Sequence, residues 1–355
     1  MCQAKSLKCM VTETPGYKNY LETRGAALKM LEEESRINAK ASAYYEDEMR
    51  GLEYMLDASP LIIKNLRHHC HHITGIKEYE YREHHRDRAD KFKKKLEDLK
   101  NLDKQGLLVP ESKTLGGFGF EFDGQLYNSD TLKYYECMLA MERAGLLDVF
   151  RRVVGGARRS AVLEIGAGWG GLAYQFKKIF PKTTYIIVDL PQSIIFSATY
   201  LKTAFPGAAV FISNGASRDW KNFNIYDYDF IFLPHYLWAG LNFKNPDLVI
   251  NTIGFQEMSA KQVADYVSKA KVWGAPYIYS MNRDRSPYNF ELSTVSEVMK
   301  NFAEVSQIKI LDVPYYDFNP KKGGIISRLK NFIKNILGLK RQGVNEYRHL
   351  VGKLN

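Results

Sequence analysis

Cysteine is scarce in this chain, and what there is does not pair. Cys2, Cys9, Cys70 and Cys137 are scattered through 355 residues without recurrent spacing. That excludes a disulfide framework and a Cys-based zinc module, and it fits a reducing compartment. Long hydrophobic runs are missing as well. No stretch approaches the ~20 apolar residues of a membrane span. The N-terminal MCQAKSLKCMVTETPGYKNY lacks the apolar core of a secretory signal, so a soluble, cytoplasmic protein is expected. Charge of one sign is also thin outside the tail. The formal net charge is +10, but residues 321–355 hold nine Lys/Arg against Glu346 alone and supply +8 of it. The remainder is close to neutral and carries no basic stripe interleaved with aromatics, so no nucleic-acid partner is expected. No isolated carboxylate cluster demands a divalent cation either; magnesium is allowed but not indicated.

What is present is an alternation of strand and helix patterns after a long helical preface. Residues 22–58 and 61–104 read as helix, interrupted at Pro60. An aromatic, glycine-rich stretch (116–130) precedes a helix over 131–147, capped by Ser129 or Asp130. From Ala161 the pattern predicts strands at 161–165, 183–189, 208–213, 228–233, 247–253, 275–281 and 307–313. Helices are expected at 170–180, 192–205, 259–271 and 291–303. This order implies an α/β fold with a doubly wound, mainly parallel, Rossmann-like sheet. Residues 1–115 are expected to form an N-terminal helical region, a lid or dimerisation element, 116–318 the α/β domain, and 319–355 a basic amphipathic tail.

The most informative segment is VLEIGAGWGG (162–171). An apolar run meets Glu164 and then Gly166, Gly168 and Gly170, with Ala167 and Trp169 between them. Glycine permits the sharp turn from a buried strand and lets a ligand approach the backbone. TTYIIVDLP (183–191) then ends a second apolar run on Asp189 and Leu190. An acid at that strand tip can accept from both ribose hydroxyls. The dinucleotide fingerprint G-x-G-x-x-G places a pyrophosphate on the helix N-terminus, where an acid at position 164 would repel it. A cation would be welcome there. The loop resembles the first motif of class I methyltransferases, which implies S-adenosylmethionine, with Glu164 oriented toward its methionine end.

Further segments extend the resemblance: GGFGF (116–120), NSDTLKYY (128–135), DLVINTIGFQEMS (247–259) and YSMNRDRSPYN (279–289). From about Gly116 to Phe318 the chain resembles a family of sugar O-methyltransferases, and NTIGFQEM with NRDRSP are its most specific parts. The resemblance implies methyl transfer to a hydroxyl of a nucleotide-linked sugar, a glycan or a glycosylated natural product. A phenolic, polyketide or protein acceptor is the rival reading.

A sugar hydroxyl is nearly neutral at pH 7, so a base must take its proton as the bond forms. Glu257 is the first candidate, with Gln256 orienting it or the sugar; the alternative is that Glu257 caps the following helix. His235, after FIFLP, is the second candidate base. Asn214 and Asn251, at strand ends, are expected to line the cofactor. Asn282 and Arg283 are expected to contact substrate, with Arg283 and Arg285 suited to a phosphate. Tyr134 and Tyr135, with Phe118 and Phe120, form either a stacking wall for a sugar ring or part of the core.

Two segments stand apart. His68, His69, His71 and His72 surround Cys70, and His84-His85 follow. His68 and His72 share a helical face, yet no further ligand pair completes a zinc set, so a polar helix face is expected and no metal. In the tail, residues 327–341 place Leu329, Phe332, Ile333, Ile336 and Leu337 on one stripe among lysines. That stripe docks on the protein body or a second copy, or lies on an anionic membrane surface.

Overall fold

A computed structural model of the chain describes residues 14–39, 50–82, 86–152, 159–215, 220, 223–242, 245–284, 294–311 and 347–354. Among these residues, ten strands are distributed over two sheets. A hairpin pairs β1 (Phe120–Phe122) with β2 (Gln125–Tyr127). The central sheet holds β3 (Ser160–Ile165), β4 (Thr183–Asp189), β5 (Val210–Ile212), β6 (Phe230–Pro234), β7 (Leu248–Thr252), β8 (Tyr277–Arg283), β9 (Glu304–Ile308) and β10 (Tyr347–Lys353). Its spatial order is β5-β6-β4-β3-β7-β8-β10-β9. All pairings from β5 to β8 are parallel, and β10 alone runs against its neighbours. This is the doubly wound, mainly parallel sheet the alternation predicts.

The central strands are continuous apolar runs because both faces are covered. Alternate residues of one strand enter different cores. Val162 of β3, with Tyr185 and Ile187 of β4, faces one; Leu163 and Ile165, with Ile186 and Val188, face the other. Glu164 shares the first face with Val162. Covering that face are α1 (Pro15–Arg36), α2 (Arg86–Lys100), α3 (Ser129–Arg143), α4 (Gly171–Ile179) and α5 (Pro191–Ala204). The second face carries α6 (Ala260–Val272) and α7 (Val295–Lys300).

Helix α3 is buried on every side from Ser129 to Met141. Its entry is fixed by Asn128, whose Oδ1 accepts from the Thr131 amide at 3.0 Å. Charges on so enclosed a helix persist only when paired. Asp130 takes Lys133 at 2.7 Å, and Glu136 takes His349 of β10 at 3.2 Å.

Four expectations are corrected. The first helix is Pro15–Arg36 rather than 22–58, starting where Thr14 caps it and Pro15 fits its first turn. The continuous helix over 61–104 breaks into short turns, Pro60–Lys64, Leu66–His69 and His71–Thr74, before α2. Gly75, at φ +71°, ends the last of them in left-handed geometry. The tail assignment is also revised at its end, since Tyr347–Lys353 forms β10 inside the sheet. The strand expected at 307–313 lies at Glu304–Ile308. The amphipathic stripe 327–341 falls outside the described residues. Among those described, no helix is long and apolar enough to cross a membrane.

Candidate cofactor and methyl-transfer site

From β3 the chain moves to β4 on one side and later crosses to β7 on the other. In such sheets the ligand crevice opens beyond the strand tips at this switch. The turn after β3 is the glycine loop. Gly166, Gly168 and Gly170 have φ of +71°, +59° and +85°, angles that other residues adopt at a cost. A Cβ at Gly168 would stand 2.9 Å from Ile73 Cγ2, whereas at Gly166 the nearest atom is Asn251 Nδ2 at 3.8 Å. The loop is therefore packed at its far end and open at Gly166.

Its amides are turned inward. Gly166 donates to the Val188 carbonyl at 2.9 Å and Gly170 to the Ala167 carbonyl at 3.0 Å. Gly168 donates to Asp189 Oδ2 at 2.8 Å, and Leu190 to Asp189 Oδ1 at 2.8 Å. Burial pushes the Asp189 carboxyl up to about 7, against the Leu190, Gly168 and Ala167 amides and the Ser193 hydroxyl, which favour its charged form.

Glu164 is fully buried two residues before Gly166. Tyr185 Oη donates to its Oε2 at 2.9 Å, and Thr252 Oγ1 lies 3.5 Å from Oε1. Burial pushes its pKa up to about 8; Tyr185, Lys133 and Thr252 oppose the rise and Asp189 adds to it. A folded-state pKa above the unfolded value means that folding takes up a proton between about pH 4.5 and 8. Stability linked to Glu164 is full below that window and lost as pH rises through it. Glu164→Gln should remove this slope, with a relative gain at pH 7 on the order of 3 kcal/mol. Denaturant titrations at pH 5 and 8 measure it; equal slopes for both proteins would refute the shift.

Beyond β7 a polar chain supports the turn Phe255–Glu257. Asn251 Nδ2 donates to the Ile165 carbonyl at 2.8 Å, and its Oδ1 accepts from the Phe255 amide at 2.9 Å and Asn282 Nδ2 at 2.8 Å. Gln256 Oε1 accepts from the Arg283 amide at 2.8 Å, and its Nε2 lies 3.4 Å from Glu257 Oε1. Asn251 and Asn282, expected to touch cofactor and substrate, are instead buried with their polar atoms engaged in this turn. Glu257 is half-buried and does not cap α6. That cap is Ser259, whose Oγ accepts from the Gln262 amide at 3.3 Å. Ile253, in the same turn, has φ +62°. For a β-branched residue this is strained backbone, which tends to collect at working sites.

His235 follows β6. Pro234 pairs in register with Asp189, so His235 follows the strand tip next to the one that carries the acid. Its Nε2 lies 3.2 Å from Glu34 Oε1 of α1. Burial pushes the imidazole down to about 4. Asn214, exposed past β5, is on the same side of the sheet. Three strand spacings of ~4.8 Å separate β6 from β7, so the tips bearing His235 and Glu257 are about 14 Å apart. The two candidate bases do not share one reacting atom.

Tyr134 and Tyr135 are core residues, which corrects the stacking-wall reading. Tyr134 packs edge-on to Trp169 with centroids 6.1 Å apart, and Tyr135 Oη donates to Asp103 at 2.8 Å. Phe118 and Phe120 belong to the same core. Arg283 holds its guanidinium 4.6 Å from the Tyr347 ring; Arg285 lies outside the described residues. The histidines are occupied locally: Tyr54 Oη meets His69 Nδ1 at 2.9 Å, and His71 Nδ1 meets the His68 carbonyl at 2.8 Å. Among the described residues no group of three or more His, Cys, Asp or Glu side chains is placed to hold a metal.

Sequence reasoning missed how the N-terminal layer grips the glycine loop. Arg67, fully buried, meets Glu111 at 2.7 Å and lies 3.4 Å from the Trp169 ring centroid. Trp169 Nε1 donates to Asp130 at 3.0 Å. Only Trp169 inside the loop signalled such a contact; Arg67 sits in a stretch that reads as exposed helix.

No family model matches the chain, and no curated protein does. Among solved structures, the chain is similar to the pyocyanin biosynthetic protein PhzM, at 13% identity and a TM-score of 0.34, over 62% of this chain and 57% of that one. It is similar to an O-methyltransferase family protein from Burkholderia thailandensis, at 12% identity and a TM-score of 0.33, over 64% and 59%. It is also similar to magnesium protoporphyrin IX methyltransferase from Synechocystis, at 10% identity and a TM-score of 0.33, over 62% and 83%. The chain thus spans less than two thirds of the length of the first two.

Proposed function

We propose that this chain is an S-adenosylmethionine-dependent O-methyltransferase whose acceptor is a hydroxyl on a sugar. One observation carries the cofactor assignment: the amides of Gly166, Gly168 and Gly170 are spent on the protein itself, and the acids beside them are Glu164 and Asp189. A pyrophosphate needs free amides and no neighbouring carboxylate; a nucleoside bearing a sulfonium and an ammonium needs the reverse. When bound, S-adenosylmethionine supplies a methyl on a positively charged sulfur. Asp189 accepts from the ribose hydroxyls, and Gly166 leaves its backbone face open to the ligand. Glu164 is a buried acid that a nearby cation converts to carboxylate. Glu257, on the β7 side and held by Gln256, takes the hydroxyl proton as the bond forms.

The sugar acceptor rests on the resemblance of the NTIGFQEM and NRDRSP segments, with Arg283 on β8 suited to a charged group of the substrate. Calorimetric titration with S-adenosylmethionine and, separately, NAD tests the cofactor. Micromolar binding of the first alone is expected, and binding of NAD alone would overturn the reading. Labelled methyl transfer to nucleotide sugars and glycosides, against phenolic acceptors, then tests the acceptor class.

A further inference from the structure

The strand β10 brings an aromatic ring to the tip of β8, under a guanidinium. Alternate residues of β8 enter opposite cores: Tyr279 and Met281 face the one beneath α3, and Ile278 faces the other. Arg283, two residues past Met281 and the last of the strand, therefore shares the sheet face of Glu164 and Thr252, whose side chains lie 3.5 Å apart. β8 is two strands from β3, so the two tips are about 10 Å apart. Arg283 is half-buried, and its Cζ lies 4.6 Å from the ring centroid of Tyr347, its register partner on β10. The register is held from within the sheet, where His349 Nε2 meets Glu136 Oε1 at 3.2 Å and Nδ1 meets Tyr279 Oη at 2.6 Å. Among the described residues no carboxylate pairs with Arg283. The neighbouring Asp284 pairs with Arg348 and accepts from the Ser296 amide at 3.0 Å. Stacking occupies the flat face of a guanidinium and leaves its in-plane donors for another partner. Of these donors, Nε is buried without a hydrogen bond. A half-buried cation with unspent donors is costly until an anion meets it.

We propose that Arg283, seated on Tyr347, binds a phosphate group of the acceptor, so that the sugar enters as a phosphate ester or a nucleoside diphosphate derivative and not as a neutral glycoside. The inference rests on the sugar-acceptor reading above and names the charge that acceptor carries. Gln256 ties the subsite to the chemistry: its Oε1 accepts from the Arg283 amide at 2.8 Å, and its Nε2 lies 3.4 Å from Glu257 Oε1. The anion is therefore held next to the turn that presents Glu257. A guanidinium offers two parallel donors to two phosphate oxygens, which an ammonium does not. Tyr347 is a positioning residue: it fixes the plane of the fork.

The test titrates inorganic phosphate and pyrophosphate into the full chain by calorimetry at constant ionic strength, with S-adenosylhomocysteine titrated separately. The wild type should bind phosphate, and Arg283→Gln should weaken that binding at least about tenfold, the loss of a charge-assisted hydrogen bond. Arg283→Lys, which keeps the charge without the fork, should recover only part, and Tyr347→Leu should cost about threefold. All three should bind S-adenosylhomocysteine as the wild type does. Tighter binding of pyrophosphate than of phosphate assigns the nucleoside diphosphate form, and equal binding assigns the monoester. Phosphate binding that Arg283→Gln leaves unchanged would belong to other basic residues and overturn the inference, as would no phosphate binding by the wild type. Should Arg283→Gln fail to fold, full-strength binding in Arg283→Lys decides against the subsite. Labelled methyl transfer to a neutral glycoside as efficient as to its phosphate ester would also overturn it and leave the sugar acceptor intact, whereas transfer to phenolic acceptors alone would overturn the sugar reading itself.

Discussion

Glu257→Gln should lower methyl transfer at least about a hundredfold while leaving cofactor affinity near that of the wild type. The figure is the usual contribution of a positioned general base. The expectation is sharp because the amide keeps the size of the carboxylate and changes what it can accept. Glu257 follows β7, beside the glycine loop after β3, and it is presented by a turn that Asn251, Asn282 and Gln256 hold from beneath. The helix-cap role that would have explained it away belongs to Ser259. Single-turnover rates at saturating cofactor measure the effect, with calorimetry confirming that binding survives. Full turnover in the variant would remove Glu257 from the chemistry. His235 would not simply replace it, since it follows β6, about three strand spacings away.

Asp189→Ala should weaken S-adenosylmethionine binding at least about a hundredfold. Two effects act in the same direction. The first is loss of charge-assisted hydrogen bonds to the ribose, each worth roughly 1.5–3 kcal/mol. The second is loss of the acceptor that anchors the Gly168 and Leu190 amides at 2.8 Å. Asp189 therefore shapes the loop itself, and its removal leaves buried donors without partners. Direct titration measures the affinity, and thermal melting separates loop disorder from contact loss. Wild-type affinity in Asp189→Ala would place the nucleoside elsewhere.

The parallel sheet was legible because its strands are uninterrupted apolar runs ending in glycine or acid, a pattern set by covering both faces. VLEIGAGWGG and TTYIIVDLP announce their strands, their turns and the two acids without further help. The last strand was not legible. Tyr347–Lys353 mixes charged and apolar residues and follows a basic stretch, and it becomes a strand only because β8 and β9 supply partners on both edges. Arg67 and the histidines around Cys70 read as a solvated helix. Arg67 turns inward because Glu111 and Asp130, distant in sequence, neutralise it.

The same division runs through the site. Sequence by itself determined the glycine loop, Glu164 and Asp189, because local backbone geometry and strand termination impose those residues wherever such a turn is built. Tertiary structure alone decided the rest. It set Asn251 and Asn282 to holding the turn beneath Glu257, withdrew Tyr134 and Tyr135 into the core, and brought Glu34 against His235. These outcomes depend on which strands lie side by side and which helix crosses their tips. That depends on burial summed over contacts far apart in the chain, which local pattern does not encode.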